Sequence, residues 1–190
     1  MVQVNRCIAL LGVALIGCSQ PKSTTVTESI DIADFHGFAS EAAWSYRDDG
    51  IVDEAPDDDD LLRTRYIQGS LDFRRGARWA DSEPTAEISF YLSDDEFGIT
   101  DWVLGEDSGS QRLPLTSTTP AEGQTIKASG WSCETIRKIE VETYYGFFPD
   151  VIQFECEGNT GPAGSWTFAK DIGLVSYIGD EYDLSLVAPW

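Results

Sequence analysis

The sequence predicts an all-β chain: a single curved antiparallel sheet or half-barrel meander with little helix. Three observations carry that prediction. Apolar and aromatic residues recur with period two from residue 62 onward, turn-forming clusters separate the runs, and no helical period lies between them. Without helices to act as crossovers, consecutive strands must pair antiparallel.

The elements follow in chain order. Ser40-Glu41-Ala42-Ala43 is the one plausible helical turn, with Ser40 placed to cap it. Asp53-Glu54-Ala55-Pro56 and Asp57-Asp58-Asp59-Asp60 read as a solvated loop, because adjacent carboxylates repel one another. A calcium site is the sharper alternative, but the alternating spacing that wraps a cation is missing. Leu71 and Phe73 alternate, as do Ile88, Phe90 and Leu92, then Ile139 and Val141, then Ile152, Phe154 and Cys156. Turn signals fall at Ser93 to Gly98, Gly105 to Gly109, Gly146 to Asp150 and Gly158 to Pro162. Trp166, Phe168 and Leu174 share one parity and read as core, while Gly173 within a strand-like run marks a bulge or a close approach.

Composition excludes several functions. Thirteen lysines and arginines against 33 aspartates and glutamates give a net charge of −20. Nucleic acid is thereby excluded as a partner, since phosphate binding needs clustered cations. Arg74, Arg75 and Arg78 are the one basic cluster, and pairing with nearby carboxylates is its default role. His36 is the single histidine, which leaves His-built metal sites and triads without members. No phosphate-cradling glycine loop occurs, so no cofactor or metal is expected. Lys170, beside the Gly173-Leu174-Val175 run, reads as a snorkelling side chain more readily than as a catalytic amine.

The N-terminus carries an address. Arg6 precedes the apolar run Ile8 to Ile16, which is too short to span a bilayer and suits a secretory signal. Leu15-Ile16-Gly17-Cys18 resembles the lipobox of bacterial lipoproteins. The resemblance implies cleavage before Cys18, acylation of that cysteine, and anchoring through several acyl chains. Ser19 in place of Asp implies the outer membrane, with the domain facing the periplasm. The expected organisation is a signal peptide over 1–17, an acylated Cys18 with a polar tether over 18–32, and one β-rich domain over 33–190. In that oxidising compartment Cys133 and Cys156 remain as an even pair and are expected to form a disulfide.

Three further stretches resemble one group of uncharacterised bacterial envelope lipoproteins. They are Asp34-Phe35-His36-Gly37-Phe38 with Trp44-Ser45-Tyr46, then Leu113-Pro114-Leu115 with Gly123-Gln124-Thr125-Ile126, and finally Tyr145 to Ile152 with Trp166 to Val175. The chain departs from that pattern at His36 and Gly37, where Pro-Leu is usual, at Ile126, where Trp is usual, and at Asp171, where Gly is common. The resemblance implies a strongly curved antiparallel sheet in a single envelope domain, with no assigned reaction.

Three functions fit these features. The first is a non-enzymatic, lipid-anchored envelope protein with a binding or structural role toward a protein or cell-wall partner. The second is a carrier or chaperone holding an apolar ligand on the concave face of the sheet, lined by Trp79, Trp102, Trp131 and Trp166. The third is a hydrolase built on paired carboxylates. No catalytic constellation supports the third, and no catalytic residue is assigned.

Overall fold

Alternating side chains resolve into twelve strands in the computed structural model, which describes residues 30–35, 43–48, 61–67, 70–75, 84–180 and 182–189. They are β1 Ala43–Arg47, β2 Leu62–Ile67, β3 Ser70–Arg75, β4 Pro84–Leu92, β5 Glu96–Leu104 and β6 Asp107–Ser117. The second half holds β7 Thr125–Ala128, β8 Trp131–Thr143, β9 Gly146–Gly158, β10 Gly164–Ala169, β11 Gly173–Gly179 and β12 Asp183–Pro189. All pair antiparallel in the order β6-β5-β4-β3-β2-β1-β12-β11-β10-β9-β8-β7. Two meanders, β1–β6 and β7–β12, are thus sewn together where the first strand pairs with the last, Trp44 opposite Pro189 and Arg47 opposite Ser185.

The sheet folds over so that the two meanders face each other. Phe90 and Phe97 of the first pack on Phe154, Trp166 and Phe168 of the second, with ring centroids 5.5–6.5 Å apart. Such pairs each add about 0.5–1.5 kcal/mol beyond the area they bury. Phe73, Ile99 and Leu113 are fully buried around them. The interior is therefore filled by side chains. The expected all-β, curved antiparallel architecture is what the chain adopts.

The sheet does not close into a barrel. Edge strand β6 returns beside β8, yet among the described residues no ladder joins β6 to β7. Side chains bridge the seam instead. Thr116 Oγ1 and Thr135 Oγ1 lie 3.1 Å apart in a buried position, and Trp131 Nε1 donates to the Pro114 carbonyl at 2.9 Å. Nearby, Cys133 and Cys156 face each other in the β8–β9 register and are joined by a disulfide.

The molecule has two distinct ends. A 3-10 turn, Ile32–Asp34, plugs the first; the Asp31 side chain accepts from the Ala33 N–H there. Ile32 donates its N–H to the Thr118 carbonyl after β6, and the Asp171 N–H in the β10–β11 turn donates to the Asp34 carbonyl. The connections β5–β6, β7–β8, β9–β10 and β11–β12 gather at the opposite end, because each antiparallel strand reverses direction.

Several expectations are corrected. Ala43 opens β1 and does not close a helical turn; pairing on both sides, with β2 and β12, outweighs a weak local helix preference. Ser40 to Ala42 lie outside the described residues. Gly146 to Asp150 are strand, and the reversal is made by Tyr144 and Tyr145 just before them. Ile32 is fully buried in the core, so the domain begins ahead of residue 33. Gly173 takes a positive φ of 99° at the start of β11, while the register shift falls where Thr167 pairs with Ser176 and Phe168 with Leu174, leaving Val175 unpaired between them.

Candidate functional site

The three described tryptophans of the predicted lining are structural beams for the plug-distant end. Trp166 is fully buried, packed at a tilt against Tyr177 with centroids 4.1 Å apart, and its Nε1 donates to the Pro162 carbonyl at 3.2 Å. Trp131 ties the same end across the seam. Trp102 donates through Nε1 to Asp107 Oδ2 at 3.2 Å and lies flat against Gly109. A Cβ at Gly109 would sit about 2.2 Å from the Trp102 ring, so only glycine leaves room for it. All three are buried among packed side chains, so the concave face they belong to is occupied from within. Cys18, His36, Trp79, Arg78 and the Asp57 to Asp60 run lie outside the described residues.

A cleft of about 410 Å³ opens at this end. Tyr177 and Tyr182 supply aromatic walls; Glu106, Asp107 and Asp180 supply carboxylates. The Tyr177 hydroxyl donates to the Ala163 carbonyl at 3.0 Å. Burial pushes its pKa well above the ordinary tyrosine value, and the negative field of Asp107, Asp180 and Asp183 pushes it the same way. Through Asp107 and Gly161 the cleft runs on into a shallower groove beside Trp102, Ser108, Ser110, Asn159 and Thr160. The volume falls in the range of small-ligand sites, and its chemistry suits a cationic or hydroxyl-bearing group. The sequence signal for it is the stretch Tyr177-Ile178-Gly179-Asp180-Glu181-Tyr182, where two tyrosines flank a glycine and two acids.

Other polar groups serve the fold. Arg74 pairs with Asp72 at 3.1 Å, as its basic cluster suggests. Arg112 pairs with Glu96 at 3.0 Å and covers the Tyr91 ring at 4.1 Å. Burial, the largest cause, raises the Tyr91 pKa to about 12. Lys170 Nζ lies 3.2 Å from Asp34 Oδ2, a contact that raises the lysine pKa and ties the β10–β11 turn to the plug. Gln153, Glu155 and Ser165 bond one another across β9 and β10. Among the described residues no group of three His, Cys, Asp or Glu side chains is arranged to hold a metal ion. No described helix is long and apolar enough to cross a membrane.

Compared with protein-family models, with curated proteins and with solved structures, the chain matches none.

Proposed function

We propose that this protein is a lipid-anchored component of the bacterial cell envelope that binds a partner and catalyses no reaction. Acylated Cys18 holds it at the outer membrane, and the acid-and-aromatic cleft is its binding surface. One observation carries this reading: the chain enters the fold at the plugged end, through Ile30 to Phe35, and the cleft opens at the other end. A domain tethered at its plug would turn the cleft away from the bilayer, toward soluble or cell-wall components. The filled interior counts against the carrier reading, which needs room on the concave face.

The experiment is labelling with radioactive palmitate, with fractionation of the envelope. Wild type should incorporate label and sediment with the outer membrane, and Cys18→Ala should do neither. Label retained by Cys18→Ala would refute the anchor. Turnover of a defined glycoside or ester, lost on Asp107→Asn, would refute the non-enzymatic role.

A further inference from the structure

The β8–β9 hairpin runs past the end of β10. In the β9–β10 register, Ala169, the last residue of β10, pairs with Val151, so five residues of β9, Gly146 to Asp150, continue past it, and Gly146 to Pro149 pair with β8. At about 3.3 Å per residue, that is about 16 Å of strand past the end of β10, along which Phe148 stays buried and Tyr145 meets Trp44, so the hairpin lies over this end of the fold. The β10–β11 turn is the one bonded to the plug at Asp34, so this stretch lies at the end where the chain enters.

Its tip is aromatic and exposed. Tyr144 is 39% exposed, Tyr145 48% and Phe147 65%. Two-residue reversals ordinarily use Asn, Asp or Gly, whose backbones suit the turn. Here Gly146, with φ 142°, eases the return, and nothing in the backbone calls for two tyrosines before it. The tip is also braced: Tyr145 stacks on Phe148 with centroids 5.7 Å apart and meets Trp44 of β1 edge-on at 6.1 Å. Braced from within in this way, the exposed rings lose little freedom on entering a second phase.

We propose that this tip enters the head-group layer of the bilayer to which the chain is tethered, making a second contact that fixes the domain's orientation. The inference rests on the Cys18 anchor. Eleven residues lie between Cys18 and Ile30, and the twelve steps reach at most about 43 Å, so the plugged end, with the exposed tip beside it, stays near the membrane. Tyrosine rings with polar hydroxyls, beside a bare phenylalanine, are the chemistry that collects at membrane–water interfaces. Glu140 and Glu142, exposed on the same hairpin, oppose anionic head groups and select a zwitterionic surface.

The test uses full-length protein reconstituted from detergent into phosphatidylcholine vesicles, with acyl chains brominated near the head group. A tryptophan is added at the tip (Phe147→Trp) or at the far end (Ile178→Trp), where Ile178 is 57% exposed. Emission above that of wild type is then compared with unbrominated vesicles. The tip tryptophan should lose about twofold or more of its added emission, and the Ile178→Trp probe should lose none. Tyr144→Trp repeats the measurement should Phe147→Trp fail to fold. Protein that floats with the vesicles while neither tip probe is quenched overturns the proposal and leaves the anchor standing. A tip probe shielded from aqueous iodide but untouched by bromine means a protein covers it, a second copy included, and also overturns the proposal. Protein that fails to float refutes the anchor, and the tip contact falls with it.

Discussion

The main-chain N–H of Asp171 donates to the main-chain carbonyl of Asp34 at 2.7 Å. This bond joins a turn late in the chain to the first described segment, and the Lys170–Asp34 ion pair lies alongside it. The segment that leads toward the N-terminus is thus part of the folded unit. Its direction decides which end of the domain faces an anchor.

Ile32 should behave as a core residue although it follows a polar tether-like stretch. It is fully buried among the strands' apolar side chains. Ile32→Ala should lower unfolding free energy by about 2–4 kcal/mol, read from urea denaturation. A change within the scatter of surface substitutions would place the start of the domain later.

The Thr116–Thr135 contact should show pairwise coupling. Removing one hydroxyl leaves the other buried without its 3.1 Å partner, so Thr135→Val should cost about 1–3 kcal/mol. The double variant Thr116→Val, Thr135→Val should recover part of that loss, because no buried hydroxyl is stranded. A double-mutant cycle with zero coupling energy would show that the seam is held elsewhere.

The Cys133–Cys156 bridge closes a loop with a sequence separation of 23. In the chain-entropy account its loss costs about 3 kcal/mol. Denaturation with and without reductant, and of the double Cys→Ala variant, should show that drop with the strand content unchanged. Equal stability of the two states would remove the bridge from the account.

Alkaline pH should destabilise the fold. Burial raises the pKa of Tyr46, Tyr91 and Tyr177 above the ordinary value of 10.0, to about 12 for Tyr91. A group whose folded pKa is raised holds its proton longer folded than unfolded. Its contribution is therefore complete below about pH 10 and is lost as pH rises toward the folded value. Lys170, also raised, acts in the same direction. Urea midpoints should fall steadily between about pH 10 and pH 12, with tyrosinate absorbance rising as the chain unfolds. Full tyrosine ionisation in an intact fold would contradict this.

Period-two alternation made the fold readable. Ile152, Phe154 and Cys156 do share an inward face, and Cys133 meets Cys156 as the even pair required. The misplaced boundaries have a common cause: local signals were overruled by distant pairing. Gly146 and Asp150 look like turn residues, yet Tyr144 and Tyr145 make the reversal because the β8–β9 register sets its place. Ala43 looks helical, yet it pairs with Arg65 of β2 and opens a strand whose other edge meets β12, pairings that its own neighbours do not announce. The cleft was less legible still, since Leu104 and Asp107 flank the β5–β6 connection, Ala163 lies between β9 and β10, and Tyr177 lies in β11, and only the folded sheet assembles them. Tryptophan spacing shows where rings lie in sequence, but it does not show that Trp131 and Trp166 spend their indole N–H groups on the carbonyls of Pro114 and Pro162.

Intact-mass analysis of the protein isolated from cells tests the central claim most directly. The account predicts a chain beginning at Cys18, recovered from the membrane fraction and heavier by a diacylglyceryl group and an N-linked acyl chain. Recovery from the soluble cell interior of an unmodified chain that still carries residues 1–17 would contradict it.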